Sequence, residues 1–432
     1  MLKNNRKIIP TLIVVFIITI FGLNAQNRIH SPYSRFGLGE LQSYNNSRYT
    51  AMGGIGYAVR NPTSVNVMNP ASYTSFDSLS FIFEGGLLSN FTTLETSNIS
   101  QKSNYTSLAY LTFGFPINSW WKGSFGLLPY SSVGYNVSET KVDPNPSIGN
   151  TKYTYEGQGG LNQFYIGQAF KINQNLSLGV NVSYLFGFID RIQKVYFPDS
   201  LYTYNIKQVK STNIGIFNFN FGLQYTKKIS NGLNLGCGIV FSNAMNANTS
   251  EDQLVYSFSE STSGIEYVHD TSTNSSTNNK SGNIHIPMNI GIGFVLEKSN
   301  KWLIGADFNW QNWANYTYND VKEASLSNSM RISVGGEIKP DNYSSNYFKR
   351  IAYRVGVRYN TTNLKIDNNL IDEYGISFGL GLPLRKSKST INLGIEFGKR
   401  GSIDNNLIKE NFTKITIGFS AYDFWFFKRK FD

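Results

Sequence analysis

The chain has 432 residues, with 39 Lys and Arg against 28 Asp and Glu, for a formal net charge of +11. Its one cysteine, Cys237, excludes an intrachain disulfide framework, and His30, His269 and His285 lie too far apart for metal-ligand spacing. The basic balance is spread along the chain and not gathered in a stripe, so nucleic acid is not an expected partner.

Residues 1–25 read as a secretory signal peptide. Lys3, Arg6 and Lys7 form the basic start, Ile8 to Leu23 the apolar run, and Leu23-Asn24-Ala25 a cleavage site before Gln26. The apolar run is short of the ~20 residues that a spanning helix needs. Residues 26–78 come next and are rich in glycine and proline. Two motifs stand out there: Ala51-Met52-Gly53-Gly54-Ile55-Gly56-Tyr57-Ala58 and Asn69-Pro70-Ala71-Ser72. Glycines permit tight turns and close approach to neighbouring chain, so this segment suits folding into an enclosed space.

From residue 79 onward the pattern has period two. In 176–188 the even positions are Leu176, Leu178, Val180, Val182, Tyr184, Phe186 and Phe188, while the odd ones are mostly small or polar. Residues two apart share a face of a strand. Fourteen such segments are predicted: 79–88, 105–115, 121–133, 162–170, 176–188, 213–225, 233–241, 284–296, 302–310, 331–338, 351–359, 373–382, 390–397 and 412–420. Most match the ~9–11 residues of a tilted membrane strand, and an even count suits a bacterial barrel. A soluble sandwich would carry charge on its polar face; here that face is Gly, Ser and Asn.

Links after even-numbered strands are short, such as 116–120, 171–175 and 383–389, with 339–350 the exception. Links after odd-numbered strands are mostly long and Ser/Thr/Asn-rich, with 242–283 the longest. Outer-membrane barrels have short periplasmic turns and long external loops. Residues 79–420 are therefore expected to form an all-β, 14-stranded antiparallel transmembrane β-barrel in a bacterial outer membrane, both termini periplasmic. Trp120, Trp121 and Trp302 are expected at the periplasmic rim and Trp310 and Trp313 at the outer rim. Residues 421–432, running from Ala421 through Trp425 to Lys428-Arg429-Lys430, form an aromatic-basic periplasmic tail.

The stretch Arg48 to Tyr73, with its Gly-rich motif followed by Asn-Pro-Ala-Ser, resembles the start of the FadL-type outer-membrane transport family, which includes PorV-like members serving type IX protein secretion. The resemblance implies a 14-stranded barrel with an N-terminal hatch, or plug, over residues 26–78, with Gly53, Gly54, Gly56, Asn69, Pro70 and Ala71 as its candidate residues. It also implies passive uptake of hydrophobic small molecules or, alternatively, a non-transporting subunit of a protein secretion or barrel-assembly machine.

A hydrophobic ligand would need an apolar lumen. Leu111, Phe113 and Phe115 on 105–115, with Leu128 and Tyr130 on 121–133, are the inward candidates. Glu84, Asp307, Glu337, Arg354, Arg358 and Glu396 are the expected lumen charges, because a charge on the lipid face costs several kcal/mol near the midplane. No Gly-x-Ser-x-Gly elbow or other catalytic constellation is present, so no enzyme activity, cofactor or metal is expected. The expected partners are outer-membrane lipids and either a hydrophobic small molecule or membrane and periplasmic proteins meeting the tail and turns.

Overall fold

The structure, a computed structural model, describes residues 31–42, 46–142, 149–200, 203–230, 232–272, 280–385 and 387–425. The signal peptide expected over 1–25, His30, Lys386 and the tail beyond Trp425 lie outside the described residues.

Fourteen antiparallel strands close into one barrel. They are β1 (Ser80–Glu95), β2 (Ser100–Pro116), β3 (Trp121–Pro129), β4 (Asn150–Lys171), β5 (Leu176–Tyr196), β6 (Asn205–Ser230), β7 (Leu233–Ser242), β8 (Asn289–Lys298), β9 (Trp302–Gln311), β10 (Ser329–Ile338), β11 (Ala352–Ile366), β12 (Asn369–Pro383), β13 (Thr390–Arg400) and β14 (Lys409–Phe424). β1 pairs with β2 on one edge and β14 on the other, which closes the ring. Closure gives each of the fourteen strands a partner on both sides, so most backbone polar groups of the wall are satisfied without water.

Alternation sorts the two faces. On β6, Phe217, Phe219 and Phe221 face outward and are exposed, while Asn218 is buried inside. On the outer face Phe113 stacks on Phe125 at 4.6 Å and tilts against Phe83 at 5.1 Å, and Phe81 stacks on Trp425 at 4.1 Å. These rings, with the stacked pair Trp120 and Trp121, form an aromatic band near the short-turn end. Tryptophan favours the membrane–water interface because its body is apolar and its N–H tip polar, and the phenylalanines beside it extend the apolar side of the band. Trp313 departs from the expectation. It is fully buried in an apolar cluster inside the loop end, beside Tyr316 and Leu326, and is no rim residue.

Among the described residues seven further strands are not part of the fourteen-stranded ring. Ser131–Val142 continues β3, Met245–Glu260 continues β7, and Lys280–Ile286 leads into β8; Glu266–Ser272 completes a sheet rising from the loop end. Their Ser/Thr/Asn-rich sequences read as loops because neither face meets lipid, so no apolar alternation is imposed. The backbone ladder continues regardless.

Two irregularities matter for the interior. Between Gly86 and Leu87 of β1 the register with β2 shifts, with Tyr110 opposite Gly86 but Leu108 opposite Leu87. Ala109 is thus an extra residue, a β-bulge, and every side chain beyond it changes face. The second irregularity is in the third strand, which breaks at Tyr130. β2 pairs with β3 only over Leu111–Pro116. Above the break, the freed edge of Ser131–Val142 takes Glu40 and Leu41 as partners, and the Gln42 N–H donates to the Tyr130 carbonyl at 2.9 Å. Residues 40–42 thereby fill a seam in the wall.

Candidate functional site

The residues that precede β1 pack against glycines and polar side chains of the wall strands. Residues 31–42 lie at the loop end, where Tyr33 and Leu38 join an apolar cluster with Val133, Leu161, Leu185, Ile214 and Trp313. Residues 46–76 lie deeper. Tyr49, Met52, Ile55, Ala71 and Tyr73 are each 0–1% exposed, so this segment has no solvent face of its own at those positions.

The wall admits the segment because its inner face is paved with glycine. A Cβ at Gly179 would meet the Pro70 carbonyl group, at Gly222 the Asn69 side chain, and at Gly238 the Tyr57 carbonyl. On the far side, a Cβ at Gly335 would meet the Met52 carbonyl and at Gly356 the Gly53 nitrogen. Main chain therefore lies on main chain around the barrel, closer than any side chain would allow.

Polar groups hold what the glycines admit. Gly53 and Gly54 have φ of +69° and +79°, a turn open to glycine at little steric cost. Their carbonyls accept from Arg331 Nη2 at 3.3 and 3.2 Å, and the Gly53 N–H donates to Ser377 Oγ at 2.8 Å. The Gly56 and Tyr57 N–H groups both donate to Asp307 Oδ2, at 2.7 and 3.0 Å. Glu84 accepts from the Val65 N–H at 2.8 Å, from Asn46 Nδ2 at 3.2 Å and from the Ser420 hydroxyl. Asn69 caps the short helix Pro70–Ser75 through the Ala71 N–H at 3.1 Å, and its Nδ2 donates to the Tyr57 carbonyl at 2.7 Å and the Leu223 carbonyl at 3.2 Å. Asn69→Ala is expected to lower stability by about 1–2 kcal/mol, since it removes a cap and two donated bonds. Asn69→Asp, which keeps the cap but sets a buried carboxylate against the two carbonyl oxygens, is expected to cost more than Asn69→Ala. The temperature at which the folded band disappears from an SDS gel checks both.

Buried ion pairs tie the remaining charges. Glu337 accepts from Arg48 Nη2 at 3.0 Å, Arg354 Nε at 2.7 Å and Lys339 Nζ at 3.3 Å. Arg358 pairs with Glu396 at 2.7 Å and with Glu373. Arg400 pairs with Glu373, with Glu40 and, at 3.2 Å, with Glu410, whose other oxygen accepts from the Ser31 hydroxyl. The six expected charges Glu84, Asp307, Glu337, Arg354, Arg358 and Glu396 all point inward. Arg331, Glu373, Arg400 and Glu410 were missed on the wall. Their residue type at inward parity was the available signal, but partners up to 379 residues away are invisible in sequence. Arg60, near the short-turn end of the segment, instead bonds Ser177, Gln224 and Thr74. Burial lowers its pKa to about 10, against the opposing pull of Glu297.

The expected apolar lumen is corrected. Leu111, Phe113 and Phe115 sit on the outer face, and Tyr110, Thr112 and Gly114 take the inner one. Carrying the parity of buried Tyr105 upward by twos misplaces them, because the Ala109 bulge inserts one residue. Leu128 and Tyr130 do face inward, where Leu128 packs in a cluster with Val65 and Tyr73, and Tyr130 with Tyr33 and Val133. The interior keeps a cavity of about 290 Å³ between residues 33–42 and 50–68. Its lining includes Gln163, Asn181, Asn218, Asn220, Asn289 and Asn309. The side-chain carbonyl oxygens of Gln163, Asn218 and Asn220 have no protein partner. Carboxamides without partners favour water or another polar guest over a greasy one. Among the described residues no cluster of His, Cys, Asp and Glu could hold a metal ion.

A closed 14-stranded antiparallel wall, apolar on its exposed face, defines the class: an outer-membrane barrel with the FadL-type channel fold. A family model described as BamG matches residues 3–432, and the chain belongs to the BamG family. Among solved structures the chain is similar to the Ralstonia pickettii toluene transporter TbuX at 12% identity and a TM-score of 0.57, covering 89% of this chain and 99% of that one. It is also similar to a Pseudomonas aeruginosa FadL homologue (14%, 0.54, 88% and 98%) and to the Pseudomonas putida toluene transporter TodX (14%, 0.53, 90% and 100%). No curated protein sequence matches the chain.

Proposed function

We propose that this protein is a sealed outer-membrane barrel that serves as a non-transporting subunit of a larger outer-membrane assembly. The N-terminal residues act as its hatch, the short turns face the periplasm, and both termini lie there. One observation carries the proposal: the segment is bonded to the wall around the barrel's circumference, through Glu84, Asp307, Arg331 and Glu337. A gate that opens often is held by few contacts, whereas this segment shares buried charges with wall strands on both sides. A polar, amide-lined cavity also offers little to a hydrophobic passenger.

A second reading is uptake of a hydrophobic small molecule, as the two toluene transporters carry toluene. The seam at Tyr130 favours it, because Leu41, Leu88, Ala109 and Pro129 line the cavity where it approaches that break. Native mass spectrometry of the protein extracted gently from its own outer membrane separates the two. A stoichiometric complex with other polypeptides supports the subunit. A lone barrel carrying small hydrophobic adducts would overturn that assignment in favour of the channel.

A further inference from the structure

The link 339–351 is the one long connection at the short-turn end, and sealing the barrel makes no use of its length. It exposes Tyr343 and Phe348, at 85% and 69%. Tyr343 lines the cleft beside the link, and Phe348 belongs to the short helix Tyr347–Arg350 that ends it. Beside the link, a cleft of about 550 Å³ opens into the barrel mouth. Eight Lys and Arg side chains line it, against only two carboxylates, Glu297 and Glu337.

The imbalance is greater than the count suggests. Glu337 already serves Arg48, Lys339 and Arg354. Among the described residues Lys298, Lys301 and Arg350 make no ion pair, and the buried Arg350 Nε has no hydrogen-bond partner. Cations gathered in a partly enclosed space repel one another, and the low-dielectric walls focus their field outward. An incoming anionic group relieves that repulsion and finds ready donors.

We propose that this cleft docks an acidic segment of a protein that meets the barrel from its short-turn side, with Tyr343 and Phe348 packing on the flanking chain. This rests on the subunit assignment above and names the partner's chemistry. A polypeptide fits better than a lipid headgroup. Part of the cleft wall is made by Arg48, Arg60 and Ser64 of the N-terminal segment, which lie inside the ring of strands. Lipids surround the outer perimeter and do not reach that position.

The test uses the full chain in detergent and a fluorescein-labelled decapeptide of glutamate and aspartate, followed by fluorescence anisotropy. Binding is expected to be saturable and to weaken tenfold or more in the triple variant Lys298→Glu, Lys301→Glu, Arg350→Glu. A loop-end control with the same net charge, Lys141→Glu, Lys152→Glu, Lys322→Glu, is expected to bind as the parent does. Equal weakening in both variants, or no saturable binding to the parent, overturns the proposal. So does cleft-dependent binding of phosphatidylglycerol vesicles in place of the peptide. SDS-gel mobility before and after heating confirms that each variant is folded. The two proposals fail separately. A parent protein that purifies alone removes the subunit assignment, whereas a native complex that survives the cleft variant removes only the docking site.

Discussion

Valine at both Gly238 and Gly356 is expected to detach residues 46–76 from the wall and turn a closed barrel into a conducting one. The two glycines stand on different sides of the segment, against the Tyr57 carbonyl and the Gly53 nitrogen. A Cβ at either position meets backbone and not the end of a flexible side chain, so neither contact yields by a rotamer change. Overpacking of this kind costs about 1–3 kcal/mol per site, and the two penalties act on one segment. The wall itself should persist, because a β-branched residue suits a strand and the hydrogen-bond ladders on both sides are untouched. Current steps in a planar bilayer, absent from the parent, are the expected signal, together with new trypsin cleavage at Arg48 and Arg60. A variant as silent and as resistant as the parent would show that the glycines are not what admits the segment.

Arg400→Met is expected to be the most destabilising single substitution in the interior. Arg400 joins Glu40 of the N-terminal segment to Glu373 and Glu410 of the wall, with all four side chains largely buried. Removing one partner of a buried pair while its counter-charges stay typically costs about 3–5 kcal/mol. Glu373 keeps Arg358, and Lys414 lies 3.8 Å from Glu40, so Glu410 is the group left most exposed to the loss. Arg400→Lys offers a point charge in place of a planar fork and cannot serve three carboxylates at once, so it should recover only part of the loss. The measurement is the urea concentration at which the barrel unfolds in detergent. A midpoint for Arg400→Met within error of the parent would mean that the cluster holds the segment weakly, and the sealed-barrel proposal would lose its main energetic support.

Much of this architecture could be read before any coordinates. Leu178, Val182, Tyr184, Phe186 and Phe188 of β5 face outward as their parity requires. Glu84, Asp307, Glu337, Arg354 and Glu396 are buried and Arg358 is half-buried, on the face opposite the exposed apolar side chains. Legibility stopped where period two was interrupted. Nothing in the run from Tyr105 to Phe115 marks Ala109 as an extra residue, and that one insertion moved Leu111, Phe113 and Phe115 from a supposed ligand pocket to the membrane side. It stopped again at Trp313, whose indole suits an interface by type but lies in the loop-end cluster by tertiary placement.

Alternation of large apolar with small polar residues determined by itself that the chain forms a wall with one greasy and one polar face, since that pattern is local and the membrane enforces it. The glycines of the polar face were equally visible, and so was the Gly-rich run ahead of the first strand. Only the tertiary structure decided that these two sets of glycines meet, with Gly179 on Pro70 and Gly356 on Gly53. Such contacts join residues far apart in the chain, and their formation depends on barrel closure, which sets the width of the lumen. The same closure brings Glu40 to Arg400 and gathers the basic turns into one cleft, neither of which any local pattern encodes.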